Sequence, residues 1–344
     1  MSLLFCDSFD HYATADITTK WTTMSGGVTI TSGGRRSTNA LKCNGGSCVL
    51  TKTLAPGDAT CVVGFSYTRD IAATSRALVT ILDGASEQMT LIINATSQTL
   101  TVLRGSAVGT TIATSTAALS LNVTYYIEFK VLISNTVGTY EVRVNNVNVL
   151  SGSGLDTQAT ANAQWSVLSL NTVFLGGTDV QLRDDLYCLD GVASADATHP
   201  DNTFLGDIRI DALFPTAEGT TTEWTPSSGT DNALMVDETT PNTTDYNTAT
   251  GVEKDTYVMP DAPLAGATLL GYQVCMYIEK TDAGVCTVSP VIRSGGVDYV
   301  GTAISPSNGA YAYFLAPYSV DPGTSLVPTE ANWNAGEVGA KRAT

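Results

Sequence analysis

The feature that most constrains this chain is the two-residue beat of its apolar side chains. Short alternating runs recur along the sequence, cut by clusters of Gly, Asn, Asp and Ser, and helical periodicity is nearly absent. Alternation at this period places one set of side chains on each face of a strand. It predicts strands over residues 41–50, 61–68, 77–82, 89–93, 99–104, 125–133 and 140–144. The strongest local signal is Asn145-Asn146, which separates Glu141-Val142-Arg143-Val144 from Val147-Asn148-Val149-Leu150. Asn tolerates the left-handed backbone that a two-residue hairpin turn requires.

Closing strands are expected over 181–190 and 204–213. After Pro215 the texture changes. Residues 216–250 are rich in Thr, Ser, Asn, Asp and Glu and carry little periodicity, as a surface segment or linker would. Strand patterns return over 267–279, 285–293 and 311–318. The expectation is an all-β chain. A large antiparallel β-sandwich over residues 1–215 is followed by a linker and a second, smaller β domain over 216–344. With 344 residues, the chain can bury two cores without metals or disulfides.

Composition sets the partner classes. Only 15 % of residues are charged and the net charge is −16. Duplex binding needs a basic face, and the 17 Lys and Arg are scattered, so nucleic acid and anionic membranes are disfavoured. No run of about 18 apolar residues predicts a membrane span. The opening Met1-Ser2-Leu3-Leu4-Phe5-Cys6-Asp7 lacks the basic and apolar regions of a secretion signal, which predicts folding in a cytoplasm. Seven cysteines, Cys6, Cys43, Cys48, Cys61, Cys188, Cys275 and Cys286, mostly sit in strand patterns and read as buried thiols. Cys43 with Cys48 could be zinc ligands or a disulfide, but no second pair at zinc spacing accompanies them. Cys275 and Cys286 flank an apparent hairpin and could face each other.

Catalytic signatures are sparse. His11 and His199 are the two histidines available to a triad, and no Gly-x-Ser-x-Gly elbow is present. Paired carboxylates for glycoside hydrolysis need almost no sequence signature. No phosphate-cradling glycine loop occurs. Asp184, Asp185, Asp190, Asp196, Asp201 and Asp207 form a denser acidic group. Oxygen-rich loops can hold calcium, although EF-hand spacing is missing. Trp21, Trp165, Trp224 and Trp333 read first as core, and as sugar-stacking rings only if exposed. Asn94, Asn122 and Asn242 match the glycosylation pattern, which means little without a signal peptide. No catalytic, cofactor or metal residue is assigned.

Several motifs together resemble the concanavalin A-like, laminin-G-like jelly-roll family. They are Cys6-Asp7-Ser8-Phe9-Asp10-His11-Tyr12, Trp21, the strand over 125–131, the Asn145-Asn146 hairpin, Leu155-Asp156-Thr157 and Asp184-Asp185-Leu186-Tyr187-Cys188-Leu189-Asp190. In order along nearly the whole chain, the motifs resemble a group of tailed-bacteriophage virion proteins. These continue through Phe204-Leu205-Gly206-Asp207-Ile208-Arg209-Ile210, Thr222-Glu223-Trp224-Thr225-Pro226, Asp237-Glu238, Asp255-Thr256-Tyr257-Val258, Asp321-Pro322 and Trp333 to Arg342. The resemblance implies a non-enzymatic structural protein of the virion, assembled in the bacterial cytoplasm. It would be tail-associated as a fibre or adhesion module, with other virion proteins as partners, a host-surface glycan as ligand and a homo-oligomeric state. The alternatives are a capsid-surface decoration protein, and a carbohydrate-binding module or glycan-degrading enzyme.

Overall fold

The computed structural model describes residues 3–45, 48–72, 74–170, 179–192 and 203–343. The chain folds as two units, the first reaching Ile210 and the second beginning at Asp211.

Among the described residues, the first unit contains fifteen strands: β1 Leu3–Asp7, β2 Thr23–Ser25, β3 Val28–Ser32, β4 Asn39–Asn44, β5 Val49–Thr53, β6 Thr60–Arg69, β7 Arg76–Asp83, β8 Ser86–Ile93, β9 Thr99–Arg104, β10 Thr110–Ala118, β11 Tyr125–Leu132, β12 Gly138–Val144, β13 Val147–Leu155, β14 Val167–Leu170 and β15 Val180–Leu189. One sheet has the order β13-β12-β11-β6-β15-β4-β3, with β1 also pairing β15; the other has the order β10-β9-β8-β7-β14-β5-β2. All pairings are antiparallel. The expected sandwich is what the chain builds.

Alternation explains the core. Val63, Phe65, Ile127, Phe129 and Val142 share one face of the first sheet. Val79, Ile81, Leu91, Val102 and Leu168 share one face of the second, and all are fully buried. Each such side chain stabilises the fold by roughly 1.5–3 kcal/mol relative to exposure. The Asn145-Asn146 turn forms with φ of 49° and 67°. Asn145 Oδ1 also accepts from Tyr126 N at 2.8 Å, which ties the hairpin end to β11.

One irregularity shapes the outer face of the first sheet. In β15 the pairing runs from Asp184 opposite Ser66 directly to Tyr187 opposite Gly64, so one extra residue is accommodated. Asp185 takes φ of 50° at this bulge. The insertion switches parity. Arg183 points inward before it, and Tyr187 points outward after it.

One expectation is corrected. Residues 204–213 form no strand. Residues 204–210 instead run as a strap over the outer face of the first sheet, where Phe204, Leu205 and Ile208 pack on Leu3, Val62, Tyr126, Tyr187 and Leu189. The strap's backbone donors go to side chains rather than to a neighbouring strand. Gly206 N donates to Glu128 Oε1 at 2.8 Å, Asp207 N to Asn146 Oδ1 at 3.0 Å, and Ile210 N to Asp185 Oδ1 at 2.8 Å.

Residues 216–250, expected as a surface segment or linker, carry short strands. They contain β16 Ala217–Thr222, β17 Thr225–Pro226 and β18 Asn247–Thr248. Their order comes from polar side chains, which hydrophobic periodicity does not register. The buried carboxylate of Asp255 accepts from Glu223 N at 2.7 Å, Trp224 N at 2.8 Å and Asn232 Nδ2 at 2.6 Å. Asn247 Nδ2 donates to Asn232 O and Tyr257 Oη.

The rest of the second unit comprises β19 Lys254–Val258, β20 Tyr272–Ile278, β21 Val288–Ser294, β22 Val297–Val300, β23 Ala312–Tyr318 and β24 Glu337–Arg342. A five-stranded sheet, β16-β19-β24-β21-β22, packs against the two-stranded ribbon β20-β23. Val274, Met276, Phe314 and Ala316 of the ribbon meet Val288, Ile292, Val338 and Ala340.

Candidate functional site

The sequence candidates divide between core and framework. Trp21 and Trp165 are buried at 1 % and 0 % exposure. Trp224 packs in the core of the second unit, and Trp333 donates Nε1 to Pro260 O at 3.0 Å. His11 is half-buried. Its Nε2 takes a hydrogen bond from Lys20 Nζ at 3.0 Å, and burial, with the nearby Lys20 charge, lowers its pKa to about 3. Lys20 in turn meets Asp7 Oδ1 at 2.9 Å, both side chains being fully buried. Asp7 Oδ2 accepts from Tyr12 Oη at 2.7 Å and Trp21 Nε1 at 2.9 Å. The Phe-Asp-His-Tyr stretch thus closes a buried polar knot around Asp7 and Lys20. His199, Asp196 and Asp201 lie outside the described residues.

Asp184, Asp185 and Asp207 do come together, but arginines supply the positive charge. Arg35 contacts Asp185 at 3.1 Å and also Asp207, and Arg36 contacts Asp185 at 3.0 Å. Asp184 Oδ2 accepts from Arg35 N at 2.8 Å and Thr38 Oγ1 at 3.2 Å. Asp190 caps its own loop through Val192 N at 2.9 Å. Among the described residues, no three of His, Cys, Asp and Glu group as metal ligands. None of the seven cysteines is joined in a disulfide. Cys275 lies on the ribbon face opposite Val274 and Met276, whereas Cys286 packs on the core side, so the two do not face each other.

Two groupings escaped the sequence reading. The first is Glu128 and Tyr187 on the outer face of the first sheet, beneath the strap. Tyr187 Oη donates to Glu128 Oε1 at 2.5 Å and accepts from Leu205 N at 3.2 Å. Burial raises the Glu128 pKa, against the hydrogen bonds from Tyr187 and Gly206. A carboxyl and a phenol in contact can exchange a proton, but the strap fills the space above this pair. Arg143 flanks it, its guanidinium 4.3 Å from the Phe204 ring centre.

The second grouping lies on the face of the β20-β23 ribbon that points away from its core. Tyr277 stacks on Tyr311 at 5.2 Å and 18°, and meets Tyr313 at 4.9 Å and 46°. All three are partly exposed, Tyr246 beside Tyr311 is 42 % exposed, and Glu279 hydrogen-bonds the Tyr311 phenol. Cross-strand pairing of Tyr277 with Tyr313 produces this surface. The alternation of Tyr311 and Tyr313 with Ala312 and Phe314 was its available signal. Rigid phenols give a large amphipathic contact at small entropic cost.

No protein-family model matches the chain, and no curated protein matches it. Among solved structures, the chain is similar to an endo-beta-1,4-glucuronan lyase from Trichoderma reesei. Identity is 11 %, coverage 49 % of this chain and 90 % of the other, and the TM-score 0.39. It is also similar to the alginate lyase Aly36B, at 10 % identity, 52 % and 91 % coverage and a TM-score of 0.38. A third is domain 4 of AbnA, an extracellular arabinanase from Geobacillus stearothermophilus, solved with arabinotriose, at 14 % identity, 48 % and 76 % coverage and a TM-score of 0.36. The expectation of a non-enzymatic protein is withdrawn here: these structures include a glucuronan lyase and an alginate lyase.

Proposed function

We propose that this protein engages carbohydrate, and that the tyrosine face of the second unit is a contact surface. The observation that carries the reading is the grouping of Tyr277, Tyr311 and Tyr313 with Tyr246 and Glu279 on one accessible face. Sugar rings present apolar C–H faces to phenol rings, while their hydroxyls reach the phenolic oxygens and the carboxylate. The motif order along the sequence supports a finer proposal, that this contact is made from the tail of a bacteriophage particle.

The test is binding of the full chain to an array of bacterial envelope, plant and algal polysaccharides. Retention on at least one polymer, lost in Tyr277→Ala, is expected. Absence of binding to every polymer overturns the reading. The same polymers incubated with the protein are assayed for new reducing ends and for unsaturated uronates, which separates cleavage from binding. Immunogold labelling of intact phage particles tests the location, and label absent from the particle overturns the finer proposal.

A further inference from the structure

We propose that Cys43 and Cys48 form an oxidant-responsive pair that closes to a disulfide and locks the two sheets of the first unit together. Cys43 lies near the end of β4, in the eight-stranded sheet, and Cys48 immediately precedes β5, in the seven-stranded sheet. The connection between them is therefore a place where the chain crosses from one layer of the sandwich to the other. A bond here would add a second covalent tie between the layers beside the backbone connection.

The surroundings favour the chemistry. The two thiols are in hydrogen-bonding contact with each other, and Cys48 Sγ also reaches Asn44 O at 3.6 Å. Arg183 Nη1 lies 3.8 Å from Cys43 Sγ. This guanidinium is itself fully buried and sits over the rings of Phe65 and Tyr67. Positive charge beside a thiol favours the thiolate, the form that reacts. The bond from Cys43, opposed by burial and aided by the backbone of Asn44 and Gly27 and by the Arg183 charge, lowers the Cys48 thiol to about 6. By contrast, Cys61 is wholly buried beside Cys188, and burial holds its thiol well above the usual range. The molecule therefore contains two close thiol pairs, of which only one is prepared for oxidation.

Cys43 and Cys48 are 2 % and 4 % exposed, so the oxidant is a small one, a hydroperoxide. The Cys48 thiolate attacks a peroxide oxygen and breaks the O–O bond. This gives Cys48 sulfenic acid and, after protonation of the leaving oxygen, one water. Cys43 sulfur then attacks the sulfenic sulfur and expels a second water. Two thiols are oxidised by two electrons, and one hydrogen peroxide is reduced to two waters.

The experiment uses the full reduced chain treated with hydrogen peroxide, alkylated under denaturing conditions and digested with trypsin. Lys42 and Lys52 bracket both thiols in one peptide. That peptide is expected to lose two hydrogens in mass and to resist alkylation, while the Cys61 and Cys188 peptides alkylate fully. The oxidised protein should unfold at a higher temperature than the reduced protein. Cys43→Ser is expected to leave a Cys48 sulfenic acid that dimedone captures. Full alkylation of Cys43 and Cys48 after treatment, or a link elsewhere, would overturn the assignment. A disulfide that leaves the unfolding temperature unchanged or lowers it would overturn the lock. The wild-type peptide map decides the assignment even where a serine variant fails to fold.

Discussion

Tyr187 and Glu128 share a 2.5 Å hydrogen bond across the strand that separates them, and Gly64 makes the contact possible. A Cβ at position 64 would stand 2.2 Å from Tyr187 Cε1. The ring therefore lies flat over β6, reaches β11, and offers its oxygen to the strap through Leu205 N. Gly64→Ala must displace the ring, at a cost of about 1–3 kcal/mol. Tyr187→Phe removes one donor from a buried carboxyl and costs roughly 1–3 kcal/mol. Both act on the same bond, so the double variant should lose less than the sum. Urea unfolding of the three variants measures this.

The Asp7–Lys20 pair predicts a large effect of one substitution. Lys20→Met strands the Asp7 carboxylate in the core and should cost about 3–5 kcal/mol near neutral pH. In the native protein burial pushes the Asp7 pKa up, but Lys20, His11, Tyr12 and Phe9 N together hold it below 3.8. Its contribution is thus present above pH 3.8 and lost as pH falls through the folded value. In Lys20→Met the direction reverses, because protonation relieves the stranded charge. Urea midpoints at pH 7 and pH 4 should show the deficit of the variant shrinking in acid.

Asp184 gives the opposite pH dependence. Burial, followed by the charge of Asp185, raises its pKa from 3.8 to about 7. The folded chain then holds this proton more tightly than the unfolded chain. Stability from this group should fall as pH rises from 3.8 to about 7 and level off above, by on the order of a few kcal/mol. Asp184→Asn should flatten that part of the profile, read from thermal unfolding across the same window.

On the ribbon, Tyr277→Ala with Tyr313→Ala should weaken polysaccharide binding by about tenfold or more, roughly 1.4 kcal/mol. Met276 and Phe314 on the opposite face hold the ribbon to its sheet, so circular dichroism and the unfolding transition should be retained. Affinity electrophoresis of the double variant in gels containing the bound polymer checks both.

Much of the sandwich was legible because its strands bury one face. The stretch 99–104 is a strand with those bounds, and 61–68 and 125–133 each match a strand to within two residues. The single run expected over 41–50 divides into β4 and β5, which belong to different sheets. The sequence Asn44-Gly45-Gly46-Ser47 interrupts the apolar pattern between them, and it was the available signal for the division. Strand β10 was missed because its burial is slight and its residues are mainly Thr, Ser and Ala. The polar plug on Asp255 was invisible for the same reason: hydrogen bonds at fixed angles leave no periodic trace.

The candidate sites were less legible than the fold. Tyr187 and Glu128 are 59 residues apart, and the bulge at Asp185 must reset the strand parity before they meet. Alternation indicated that this chain is all-β, and the Asn145-Asn146 pair indicated where its hairpin turns. Tertiary structure decided that Asp184, Asp185 and Asp207 meet arginines and that Tyr277, Tyr311 and Tyr313 share an open face. The physical reason is the range of each interaction. Burial of one face repeats every two residues and is written into local sequence. A salt bridge, a stacked ring or a strap's hydrogen bond depends on strand register between segments far apart in the chain.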